Sequence, residues 1–157
     1  MLRFALLAVL LSAGAWPAGA AAGKEGMDSF FSSLRRPASH NHWLVAPAGF
    51  PGRPDATAPV HAVPVAVLRE TFKAVIAQSP GAAVVAETAD GLQIVVTTRV
   101  FQFRDDVRVQ FIALGQQQST LALYSASRTG YWDFGTNRRR LEDWLARLAA
   151  ALQSRTP

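Results

Sequence analysis

The chain has 157 residues, with 16 lysines and arginines against 11 aspartates and glutamates, a formal charge of +5 and no cysteine. That length suits one domain with a single core, and the missing cysteines exclude disulfides, thiol catalysis and thiolate-bound zinc. The modest positive excess is borne mainly by arginine and accompanies no nucleic-acid motif, which argues against DNA or RNA as a partner.

Residues 1–22 read as a secretory signal peptide. Arg3 supplies the positive start, an apolar run follows over residues 4–11, and Ala18-Gly19-Ala20 and Ala20-Ala21-Ala22 fit the small-x-small cleavage pattern. The run is shorter than the roughly 20 residues a membrane span needs. Without cysteine no lipid can be attached at the cleavage site. The sequence therefore predicts a periplasmic or secreted protein that begins near Ala21 or Gly23.

Residues 23–58 predict an irregular segment, because Pro37, Pro47, Pro51 and Pro54, with Gly49 and Gly52, interrupt any long element. Phe30, Phe31, Leu34, Trp43, Leu44 and Phe50 are too apolar for a solvated linker. Trp43 and Phe50 are the expected anchors to the domain. The folded domain is expected over residues 59–153 and opens with a short strand at 60–63. A helix follows from Pro64, with Val65, Leu68, Phe72, Val75 and Ile76 on one face, until Ser79-Pro80-Gly81 stops it.

Strands are predicted at 83–88 and 92–101, joined by Asp90-Gly91, a strong two-residue hairpin signal. Two more at 107–114 and 120–126 are joined across Gly115-Gln116-Gln117-Gln118-Ser119. A long helix over 138–153 carries Leu141, Trp144, Leu145, Leu148 and Leu152 as its stripe. The expected fold is α+β: an antiparallel meander of four to five strands, with an N-terminal and a long C-terminal helix packed on it.

Phe103-Arg104-Asp105-Asp106-Val107, Ser125-Ala126-Ser127-Arg128-Thr129-Gly130 and Asp133-x-Gly135-x-Asn137-Arg138-x-Arg140 together resemble the DUF1499 family. Its members are small bacterial and plant proteins whose function is not established. The resemblance runs over residues 59–148. Two features depart from it: the cysteine usual near the family's N-terminal region is missing, and Tyr124 stands where arginine is common. The family implies no substrate. The order of elements also resembles the helix-grip scaffold, an analogy of fold alone.

The chemistry-bearing residues gather in these motifs. Arg104, Asp105 and Asp106 leave one strand end, while Arg128, Tyr131, Trp132, Asp133, Asn137, Arg138 and Arg140 follow another. A hairpin between those strands makes the two groups neighbours. One reading is a fastening network, in which Arg140 shares the inward stripe of Trp144 and requires Asp105 or Asp106 as its partner. The other counts arginines in excess of carboxylates beside free helix N-terminal amides, a combination that binds phosphate or carboxylate. Tyr131 and Trp132 would then cover the ligand body, and an anionic lipid or glycan is the expected partner.

Hydrolysis through Asp106 and Asp133 is the rival chemistry. Asp105 and Asp106 point to opposite sheet faces, and arginine-rich surroundings leave no general acid. His40 and His42, with His61 as a third ligand, are the one metal candidate and are outweighed by solvated histidines in a loop. No nucleophile elbow or glycine-rich phosphate loop is present. The sequence thus predicts an exported, non-catalytic binding or structural module of the cell envelope, with neither cofactor nor metal. The alternative is a hydrolase acting on an anionic envelope substrate.

Overall fold

The computed structural model describes residue 31 and residues 34–50, 52–99 and 101–155. The expected signal peptide, its cleavage sites and Phe30 lie outside the described residues. The elements run β1 (His42–Ala46), β2 (Ala56–Thr57), α1 (Val65–Ala77), β3 (Ala82–Glu87), β4 (Gly91–Thr97), β5 (Arg104–Ala113), β6 (Ser119–Ser127) and α2 (Thr136–Gln153). No helix among the described residues is long and apolar enough to cross a membrane.

The sheet has six strands in the order β2-β1-β6-β5-β4-β3. From β3 to β6 it is the expected antiparallel meander. The segment read as irregular adds β1, antiparallel to β6, and β2, parallel to β1. The sheet is therefore mixed and six-stranded, not an antiparallel meander of four or five. β1 escapes a period-two reading because both its faces are covered: Val45 joins the main core, whereas Leu44 and Ala46 join a second one. A strand buried on both sides reads as a continuous apolar run. The strand expected at 60–63 reduces to one bridge between His61 and Ser119.

β4 ends at Thr97, and β5 begins at Arg104, earlier than its apolar run. Thr98 closes the turn between them: its N–H donates to the Phe103 carbonyl, and its Oγ1 accepts from the Phe103 N–H at 3.0 Å. Arg104, Asp105 and Asp106 thus lie inside β5 and not beyond its end.

The helices α1 and α2 cover one sheet face. Leu68, Phe72 and Ile76 of α1 and Leu141, Trp144 and Leu148 of α2 pack there on Ile94, Val107, Val109 and Leu123. Phe72 meets Phe111 and Trp144 edge-on, at centroid distances of 5.9 and 6.0 Å. On the other face Phe31, with Leu34 and Phe50, packs on Leu44, Ala122 and Tyr124. The proline-rich segment is part of the fold, with Trp43 anchoring to the first core and Phe50 to the second.

Gly81, between α1 and β3, has φ +76°, and a Cβ there would lie 2.3 Å from the Thr97 carbonyl oxygen. Gly135 shares that φ, but a Cβ there would meet only the flexible end of Arg139 at 3.3 Å. The left-handed backbone alone costs roughly 1–2 kcal/mol for a residue with a Cβ. Gly81→Ala should therefore lower the urea midpoint clearly more than Gly135→Ala, and equal losses would contradict the close approach.

Candidate functional site

Strand alternation sends neighbouring side chains to opposite faces, and the two carboxylates of β5 separate accordingly. Asp105 lies under the helices and pairs with Arg140 of α2; both side chains are at least nine-tenths buried. Arg140 also donates to Ser125 Oγ at 2.9 Å and Asn137 Oδ1 at 2.8 Å. Asp106, on the far face, accepts from Arg128 Nε at 2.8 Å and Nη2 at 2.7 Å. Those bonds push the Arg128 pKa up. Burial pulls the neighbouring Arg108 down to about 10, against the opposing pull of Asp106. On the same face, burial pushes the Tyr124 phenol up to about 12.

Asn137 is fully buried in the first turn of α2. Its Oδ1 accepts from Ser125 Oγ and Arg140, and its Nδ2 lies within hydrogen-bond distance of the Asn41 carbonyl, Ser127 Oγ and Asp133 Oδ2. One amide thus joins β6, α2, the loop between them and the approach to β1. Asp133 Oδ1 accepts from the Gly135 N–H at 2.9 Å, and Oδ2 accepts from the Asn137 N–H at 2.7 Å. The helix start already holds a carboxylate, as its dipole favours. Of the amides expected to await an anion, those of Thr136, Asn137 and Arg139 are therefore engaged. α2 begins at Thr136, two residues before the expected Arg138, because Asp133 and Asn137 form its opening turn.

The β6–α2 loop is fastened to the chain entering β1. Asn41 Nδ2 donates to the Gly130 carbonyl at 2.6 Å, and the His40 N–H donates to the Tyr131 carbonyl at 2.9 Å. The His40 ring stacks on Trp132 at 4.4 Å. Beside this joint the start of β1, with His42 and Trp43, lines a cleft of about 640 Å³. Trp43, Trp132, Phe134 and His40 give it aromatic walls, and Arg36 and Arg138 bring cations to it. Arg36 binds both Asp55 oxygens, at 2.8 and 2.6 Å, and donates to His42 Nδ1 at 3.2 Å. Asp55 in turn accepts from the Leu44 N–H at 2.8 Å, satisfying the strand edge where β2 is absent. The Arg138 guanidinium lies 5.2 Å from the Trp43 ring centroid, and its Nε donates to Glu142 at 2.7 Å. That Arg138–Glu142 pair is more than half exposed on both sides, so it holds the guanidinium only weakly.

Of the residues read from the sequence as an anion site, Trp132, Asp133 and Arg138 line this cleft, together with Trp43 and with His40 and His42 of the metal candidate. Tyr131 stands behind it, edge-on to His40 and donating to the Ala38 carbonyl at 3.2 Å. Asp105, Asn137 and Arg140 form the buried network instead, Asp106 and Arg128 pair on the far face, and Arg104 is exposed at the start of β5. Asp106 and Asp133 do not converge. Each has both oxygens engaged by donors, and they lie on opposite sides of the sheet. The histidines do not gather either, since His42 pairs with Ala126 at one end of β6 and His61 bridges Ser119 at the other. Burial lowers the His61 pKa below its ordinary value. Arg36, His42, Trp43 and Asp55 were not read from the sequence as one site, because only β1–β6 pairing brings them to α2.

Comparison with known proteins places the chain. The model of the family described as protein of unknown function (DUF1499) matches residues 30–148, and the chain belongs to that family. The match begins well before residue 59, in keeping with the place of β1 in the sheet. No curated protein matches. Among solved structures, a START superfamily protein from Mycobacterium smegmatis is similar at 12% identity and a TM-score of 0.36, over 63% of this chain and 93% of that one. A protein from Thermus thermophilus is similar at 14% identity and a TM-score of 0.32, over 73% of this chain and 95% of that one.

Proposed function

We propose that this DUF1499 protein is an exported, non-catalytic binding module of the cell envelope, whose cleft beside β1 takes an anionic ligand with a flat or apolar body. Export rests on the signal-peptide pattern of residues 1–22. The observation that carries the binding reading is the cleft itself, in which Trp43 and Trp132 stand beside Arg36 and Arg138. A volume of about 640 Å³ lies in the range of small-molecule sites. A phosphate or carboxylate can draw Arg138 away from its exposed Glu142 pair, while the indoles cover a sugar ring or acyl chain. The non-catalytic part is supported by Asp106 and Asp133, whose oxygens are already engaged.

Calorimetric titration with a short-chain phosphatidylglycerol, kept below its micelle concentration, and with galacturonate oligomers separates a lipid source from a glycan source. One of the two should bind, and more weakly as salt rises. Arg138→Gln removes a charge-assisted bond and should weaken binding roughly tenfold or more. Arg128→Gln, outside the cleft, should leave binding unchanged. Heat from neither probe, or equal affinity in Arg138→Gln, would overturn the reading.

A further inference from the structure

Five aromatic side chains are strongly exposed among the described residues: Phe101 at 70%, Phe103 at 52%, Tyr131 at 55%, Trp132 at 61% and Phe134 at 85%. All five lie on two loops at one end of the sheet. Phe101 and Phe103 stack on each other in the β4–β5 turn at 5.5 Å, and the other three belong to the β6–α2 loop. The two loops meet where the Arg128 N–H donates to the Arg104 carbonyl. Across the sheet end they span from β4 to β1, three strand spacings or roughly 14 Å. Exposed apolar surface gathered in one place marks an interaction surface.

Apart from the Arg138–Glu142 pair and the Asp55 carboxylate held by Arg36, the charge at this end is positive. Arg99 and Arg104 are exposed and have no carboxylate partner among the described residues, and exposed Arg139 donates only to the Phe134 carbonyl. The nearby carboxylates Asp105, Asp106 and Asp133 are turned inward onto arginine or amide donors. Protruding aromatic tips ringed by free guanidiniums match the interface of an anionic bilayer. There aromatic rings settle at the headgroup level, and each cation adds about fivefold in affinity.

We infer that this end of the molecule docks on an anionic lipid surface, with Phe101 and Phe103 entering the interface beside Trp132 and Phe134. This surface includes the β4–β5 turn, which takes no part in the cleft, so the two ideas fail separately. The test is sedimentation with vesicles of phosphatidylcholine alone and of phosphatidylcholine and phosphatidylglycerol in equal parts. The expected result is selective binding to the mixed vesicles. Phe101→Ser combined with Phe103→Ser should lower it roughly tenfold or more without changing the melt or the calorimetric titration of the cleft. Arg99→Gln combined with Arg104→Gln should remove most of the selectivity. Equal binding to both vesicles, binding to neither, or binding untouched by the phenylalanine variants would overturn the inference. So would a concentration-dependent dimer abolished by those variants, which would assign the patch to a second copy of the chain.

Discussion

Arg140→Ala should destabilise the fold by about 3–5 kcal/mol, the range for a buried ion pair that loses one partner. The Arg140 side chain is 9% exposed and that of Asp105 3%. Removing the guanidinium leaves a carboxylate under the helices with no counter-charge. It also takes a donor from Ser125 and from Asn137. The comparison is Arg155→Ala at the exposed end of the chain, where a surface substitution should stay within about 0.5 kcal/mol. Urea melts of both variants check the difference, and equal midpoints would reject the buried pair. Replacing both partners, Arg140→Met with Asp105→Leu, should recover much of the loss, because two apolar groups leave no unpaired charge.

Asn137→Leu should cost about 3 kcal/mol or more, although leucine is close enough to asparagine in size to fill much of the same space. The loss is one of hydrogen bonds, not of packing. Ser125, Arg140, the Asn41 carbonyl and Asp133 would each lose a partner in a site closed to water. A buried group left unsatisfied costs about 1–3 kcal/mol. Because one amide joins four segments, the effect should exceed that of Ser127→Ala, which removes a single acceptor. A urea midpoint for Asn137→Leu no lower than that for Ser127→Ala would contradict the hub.

What was legible in the sequence follows from how local each signal is. The meander from β3 to β6 could be read because Asp90-Gly91 marks a turn and Leu92, Ile94 and Val96 alternate with half-exposed neighbours. The fastening network was legible too, since Arg140 lies on the same helix stripe as Trp144 and alternation splits Asp105 from Asp106. β1 was hidden because both its faces are buried and prolines flank it. The helix begins two residues before the expected Arg138 because Asp133, which accepts from the Gly135 and Asn137 N–H groups, opens its first turn. The cleft was illegible for a different reason. Arg36 and Asp55 lie far before Arg138 in the chain, and nothing local links them. Their meeting depends on long-range pairing of β1 with β6.

We propose a division of labour: Arg140 and Arg128 hold the fold through Asp105 and Asp106, while Arg138 and the indoles of the cleft beside β1 hold the ligand. The described residues include three tryptophans, of which Trp43 and Trp132 line the cleft and Trp144 is buried in the core. Their indole N–H signals, followed by NMR during titration with short-chain phosphatidylglycerol or galacturonate oligomers, read the claim directly. The Trp43 and Trp132 signals should move with a common affinity while Trp144 stays in place. A shift at Trp144 without one at Trp132, or no shift with either probe, would contradict it.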